Sequence, residues 1–156
     1  MKRKQTHAPW TAIAEVELTY KSRVRTSERP SVSNSRESFE VFLQVWQAGR
    51  IELLEEFKVM LLNRANKVLG IFNHSQGGIT GTVVDTRLIC AAALKGNAVS
   101  LILAHNHPSG NLKPSTADEE LTRKIQEAAR QFDIKVLDHL IISPDRYFSF
   151  ADEGLI

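Results

Sequence analysis

The stretch Ala104-His105-Asn106-His107-Pro108-Ser109-Gly110, followed by Pro114-Ser115-Thr116-Ala117-Asp118, carries two imidazoles and a carboxylate within fourteen residues. It follows the apolar run Val99 to Ala104, which has the length and composition of a short buried strand. Side chains alternate along an extended backbone, so His105 and His107 project to the same side with Cα atoms about 7 Å apart. Both rings can then converge on one ion at about 2.0–2.1 Å. Pro108 disfavours helical geometry at His107 and keeps the end of the segment extended.

Downstream, Ser115 opens a predicted helix and Asp118 falls in its first turn, where free N–H groups and the positive end of the helix dipole favour an ionised carboxylate. That is the form a metal ligand requires. Ser-x-x-Asp also describes a capping box with no chemistry attached, and a His pair alone describes a polar loop. Their joint occurrence, with Pro and Gly shaping the connection between strand and helix, points to metal binding by His105, His107 and Asp118. Two His, one Asp and a water match tetrahedral zinc with an open, catalytic position, and the spacing admits iron, manganese or cobalt as well. A zinc deaminase needs a downstream Pro-Cys-x-x-Cys, and the single cysteine, Cys90, lies upstream. His-Glu-x-x-His is also missing.

Around this core, Ala14 to Lys21 alternates as a half-buried strand, and Ser22 to Asn34, with Pro30, reads as a linker. Asn34 and Glu37 resemble a capping box, and Phe39, Phe42, Leu43 and Trp46 follow at helical spacing, predicting a helix over 34–48 that stops at Gly49. Phe57 to Leu62 and Val68 to Phe72 read as a hairpin. Asp85 is placed to cap a helix that ends at Gly96. Ser115 to about Phe132 is a long helix, and Ile134 to Ile142 a strand before the turn Ser143-Pro144-Asp145. The order β, α, β, β, α, β, α, β predicts a mixed α+β domain with helices packed against one mixed sheet.

The 156 residues, 42% hydrophobic, suit one compact domain. No apolar stretch approaches the ~20 residues of a membrane span, and the start leads into no apolar signal core, so a cytoplasmic protein is expected. Cys90, between Ile89 and Ala91, reads as a buried thiol. The net charge of +2 is unevenly spread: residues 1–36 hold eight Lys/Arg against three acids, and the remainder 12 against 15. The basic arm is either a solvated tail lying on the acidic body of the chain or a surface for nucleic acid or an acidic partner.

His105-Asn106-His107-Pro108, seven residues from His107 to Ser115, and Asp118 together resemble the His-x-His-x7-Ser-x-x-Asp motif of the JAMM/MPN metallohydrolases. The longer string His-Asn-His-Pro-Ser-Gly with Pro-Ser-x-x-Asp, and Leu137-Asp138-His139 in the last strand, are similar to the bacterial RadC family among them. The likeness runs from about Asn34 to Leu155. It implies an MPN domain over 34–156, preceded by a basic arm and strand over 1–33, with a mixed sheet and helices layered as in the cytidine deaminases. It further implies a zinc-dependent peptidase or isopeptidase acting on a protein or peptide. The ligands of the family correspond to His105, His107 and Asp118, and its oxyanion-stabilising serine to Ser115.

The same motif uses a glutamate just ahead of an early core strand, where Glu55 and Glu56 are adjacent candidates. The family's spacing from the aromatic residue selects Glu55 as the general base, and alternation sends the two carboxylates to opposite sides of the strand. The other glutamate is expected at a solvated strand entrance. Longer family members carry an N-terminal helix-hairpin-helix region, whereas only the basic arm and strand precede residue 34 here. The family resemblance by itself therefore does not imply DNA binding; a DNA-associated accessory role, in repair or a mobile element, through the charge of the arm is the alternative to hydrolysis. His139 reads as a buried structural histidine or a support for the zinc ligands, His74 and His7 carry no site signal, and Trp10 and Trp46 read as packing residues.

Overall fold

Residues 23–77 and 82–156 are described by the computed structural model. The predicted strand Ala14–Lys21, Trp10, His7 and most of the basic arm lie outside the described residues. Eight elements follow: α1 (Ser35–Val45), β1 (Glu56–Leu62), β2 (Val68–Gln76), α2 (Thr86–Lys95), β3 (Ser100–Asn106), α3 (Thr116–Arg130), β4 (Lys135–Ile142) and β5 (Tyr147–Ser149), with a 3-10 turn at Thr26–Glu28 in the predicted linker.

The sheet has strand order β2-β1-β3-β4-β5. β1 pairs antiparallel with β2 and β3, β3 runs parallel to β4, and β5 closes antiparallel on β4. The central strands β1 and β3 are buried along their whole length, which is why they read as nearly continuous apolar runs. Alternation along them separates two cores. On one face Phe39 and Phe42 of α1 pack with Met60, Leu62, Ile102, Ala104, Leu140 and Ile142. On the other, Ile89 and Ala93 of α2 and Ile125 and Ala129 of α3 pack with Phe57, Val59, Leu61, Leu101 and Leu103. The result is a mixed α+β domain with helices on both faces of a mixed sheet, as expected.

Several boundaries differ from the sequence expectation. α1 ends at Val45 rather than 48, because Trp46 leaves helical geometry and buries its ring at the edge of Phe42 and beneath the Lys58 ammonium. Its capping box is half formed. Asn34 Oδ1 accepts from the Glu37 N–H at 2.9 Å, but the Glu37 carboxylate reaches back to the N–H of Ser33 instead of Asn34. β2 continues past Phe72 through Asn73, His74 and Ser75 to Gln76, held by ladder pairing with β1 that extends to Glu56–Gln76. β5 has no counterpart in the sequence pattern: three residues returned by the turn after Ile142 are too few for a period to show. In the β1–β2 turn the Asn63 side chain accepts from the N–H groups of Ala65 and Lys67, and Asn66 takes a positive φ of 54°. Asp85 and Gly96 bound α2 as predicted. A Cβ at Gly96 would sit 2.6 Å from Leu61 Cδ1, so glycine lets the helix end approach the sheet.

Candidate metal centre

The strand β3 runs two residues further than its apolar part, so that His105 and Asn106 lie within the ladder and His107 just beyond it. His105 and His107 therefore share the face covered by α2 and α3, and Asn106 points into the α1 core. α3 is capped by Ser115, whose Oγ accepts from the Asp118 N–H at 3.1 Å while Asp118 Oδ2 accepts from the Ser115 N–H at 2.7 Å. The capping box is thus complete. It does not compete with a ligand role, since it occupies Oδ2 and leaves Oδ1 at 3.3 Å from His105 Nε2.

His105 Nε2 and His107 Nε2 lie 3.0 Å apart, and His107 Nε2 is 3.7 Å from Asp118 Oδ2. One donor atom from each of the three residues falls within a 4.8 Å cluster. Two ligands 2.0–2.1 Å from a tetrahedral ion are separated by about 3.3 Å, so the observed spacings suit such an ion with little adjustment. The donor chemistry agrees. His107 Nδ1 lies 2.6 Å from the Asn111 carbonyl, which can only accept, so the ring's own proton is on Nδ1 and Nε2 faces His105 as a lone pair. Two imidazole nitrogens and a carboxylate turned toward one point are a donor set that could hold a metal ion.

Electrostatics follow from the same contacts. The Asp118 carboxylate raises the His107 pKa above its ordinary value, aided by the Asn111 carbonyl. Burial pushes the Asp118 carboxyl upward, but the neighbouring His105 and His107 rings and the Ser115 hydroxyl outweigh it and hold the group well below the usual carboxylate range. Asp118 is consequently an anion at neutral pH.

A cleft of about 410 Å³ opens over this cluster and is also lined by Glu55, Phe57, Ser115 and Leu121. Glu55 faces it from the residue just ahead of β1. Glu56 lies on the opposite face and is not at a solvated strand entrance as expected. It is 2% exposed, with Lys58 Nζ 3.1 Å from Oε2 and Arg50 Nε 3.5 Å from Oε1. Lys58 also donates to Asn73 Oδ1 at 2.8 Å. The pair is buried because the α1 face of the sheet continues over the first residues of β1.

Three contributors carried no signal in the sequence reading. Asn106 is fully buried, donates through Nδ2 to the carbonyls of Ile51 and Leu54, and accepts the Glu56 N–H, which ties the Glu55 segment to the strand that carries both histidines. Thr122 stands one turn after Asp118 on the same face of α3, a spacing that could have drawn attention to it. Its Oγ1 lies 2.6 Å from both the Asp118 carbonyl and His139 Nδ1. His74 Nε2 accepts the Asp85 N–H at 2.7 Å, and Thr82 Oγ1 donates to Ser75 Oγ at 2.9 Å, fastening to β2 the segment whose Thr82 and Val84 wall the cleft. His139, singled out from sequence, is fully buried with Nε2 2.8 Å from His105 Nδ1, and burial lowers its pKa well below the ordinary value.

A mixed sheet that carries this His-His-Asp cluster at the junction of β3 and α3 defines a domain of the JAB/MPN type. Residues 32–155 match the family profile described as "RadC-like JAB domain". Curated relatives named UPF0758 protein include one from Flavobacterium johnsoniae, 52% identical over 101 residues that make up 65% of this chain and 44% of that protein. One from Acidovorax ebreus is 35% identical over 144 residues, 92% of this chain and 60% of the relative. Another, from Symbiobacterium thermophilum, is 37% identical over 146 residues, covering 94% and 61%. The chain belongs to the RadC family. It spans less than two thirds of the length of these relatives. Among the described residues, no helix is long and apolar enough to cross a membrane.

Proposed function

We propose that this chain is a zinc-dependent hydrolase that cleaves an amide bond in a peptide or isopeptide substrate. The observation that carries the reading is the convergence of His105, His107 and Asp118 beneath a cleft that Glu55 and Ser115 also line. His105 Nε2, His107 Nε2 and Asp118 Oδ1 would hold the ion. Bound zinc supplies a localised positive charge that acidifies water toward a pKa of about 7 and polarises a carbonyl.

The chain's own groups account for the remaining chemistry. Glu55 is the general base: its carboxylate takes a proton from the attacking water and returns it to the leaving amine. Ser115 Oγ donates to the oxyanion. Its proton points to Asp118 Oδ2, 2.7 Å away, so it must turn into the cleft as negative charge develops on the substrate. Such a donor is worth about 3 kcal/mol in comparable sites. Phe57 and Leu121 supply an apolar wall against which a substrate chain can lie.

The test is a screen of peptide and isopeptide-linked libraries with zinc-loaded protein, beside Glu55→Gln and a chelator-treated control. Cleavage by the wild type alone supports the reading. Absence of cleavage across the libraries, or equal cleavage by Glu55→Gln, rejects it.

A further inference from the structure

Beneath the proposed zinc ligands, four polar groups form one continuous hydrogen-bonded file: His105 Nδ1 to His139 Nε2 at 2.8 Å, His139 Nδ1 to Thr122 Oγ1 at 2.6 Å, and Thr122 Oγ1 to the Asp118 carbonyl at 2.6 Å. His105, Thr122 and His139 are each no more than 2% exposed. Water has no place in the file, so every proton must be assigned within it.

One end fixes the direction. A carbonyl oxygen only accepts, so Thr122 spends its single hydroxyl proton on Asp118 O. The Thr122 oxygen must then accept from His139, which puts the His139 proton on Nδ1. The His139 ring is stacked on Phe150 with centroids 4.7 Å apart and meets Phe57 edge-on at 5.6 Å. An imidazole carrying its one proton on Nδ1 presents Nε2 as an acceptor. His105 therefore donates through Nδ1–H, and its Nε2 is left as a bare lone pair directed at His107 and Asp118.

We propose that Thr122 and His139 are positioning residues that lock His105 in the one tautomer able to accept a metal ion. The lock rests on the reading of this cluster as a metal centre and adds to it a source of proton order, anchored in the first turns of α3. It also couples two ligands. The carbonyl that sets the direction belongs to Asp118, so the helix turn that presents the carboxylate also determines which nitrogen of His105 is free. Without the Thr122 hydroxyl, His139 can carry its proton on Nε2 and donate to His105 Nδ1, leaving the His105 proton on the metal-facing nitrogen.

Two measurements on the full chain test this, neither relying on catalysis. Long-range proton–nitrogen correlation of the histidine rings in chelator-treated wild type at pH 8 should show His105 protonated at Nδ1. A proton on Nε2 overturns the proposal without any variant. Zinc affinity, read by competition with a chromogenic chelator, should fall about 10- to 100-fold in Thr122→Val, the usual effect of losing a partner behind a metal-bound histidine. Thr122→Ser keeps the hydroxyl and should bind as the wild type does. If Thr122→Val binds zinc with wild-type affinity, or Thr122→Ser binds as weakly as Thr122→Val, the lock is overturned while the metal centre stands. If the wild type takes up no zinc, both fall.

Discussion

Asn106 Oδ1 accepts the backbone N–H of Glu56 at 2.8 Å, so the residue between the two histidines holds the strand entrance that carries Glu55. Its amide also donates to Ile51 O at 2.6 Å and Leu54 O at 2.8 Å. Asn106→Ala strands a buried N–H and two carbonyls, each such group costing about 1–3 kcal/mol. Chemical denaturation should show a loss on the order of 3 kcal/mol. Hydrogen exchange should show the Glu56 amide deprotected, with zinc uptake retained because no ligand is touched.

Glu55 and Glu56 should separate cleanly. Glu56→Ala leaves the Lys58 ammonium buried with only Asn73 and the Trp46 ring, a change expected to cost about 3–5 kcal/mol of stability. Glu55→Gln should shift stability by no more than about 0.5 kcal/mol. Its turnover should fall about 10²- to 10⁴-fold, as for loss of a general base, with zinc stoichiometry unchanged.

Ser115 serves the helix and, in the proposed reaction, the oxyanion. Ser115→Ala should cost about 0.5–2 kcal/mol of stability through the lost cap. Turnover should drop about 10²- to 10³-fold. Ser115→Asp restores a capping acceptor without a hydroxyl, so it should recover part of the stability and none of the activity.

Zinc should stabilise the fold by mass action. At a free concentration of about 100 times the dissociation constant, the gain is about 2.7 kcal/mol. A thermal scan should register it in the wild type and show none in His107→Ala or Asp118→Asn.

His74 should make the cleft wall sensitive to acid. Burial lowers its pKa below the ordinary value, so its stabilising contribution is full above about pH 6.5 and is lost as pH falls through the lowered folded-state value. Protonation at Nε2 removes the acceptor for the Asp85 N–H. Arg87 holds the Asp85 carboxyl down at about 2, so that group stays ionised through the transition. Amide exchange at Asp85, corrected for intrinsic rate, should accelerate between pH 7.5 and 5, and His74→Phe should be fast at both.

How much was legible in the sequence follows from how local each cause is. The helix caps at Asn34, Asp85 and Ser115, the buried strands β1 and β3, and the side shared by His105 and His107 all depend on neighbours within a few residues. The ends of α1 and β2, and all of β5, depend on a partner elsewhere: the ring of Trp46 on Phe42 and Lys58, the ladder from Gln76 to Glu56, and the return of Tyr147 to Ile142. Period has nothing to say about such contacts.

The sequence by itself determined the two imidazoles and the carboxylate of the cluster, their spacing and the opposite facing of Glu55 and Glu56, because alternation and helical capping are properties of short backbone segments. Only the tertiary structure decided that Glu56 would be buried beside Lys58, that Asn106 would hold the Glu55 segment, and that Thr122 and His139 would stand behind His105. The Asn106, Thr122, His139 and His105 pairings join residues 17 to 55 positions apart, and their geometry is set by how the sheet and α3 pack rather than by any local preference of the chain.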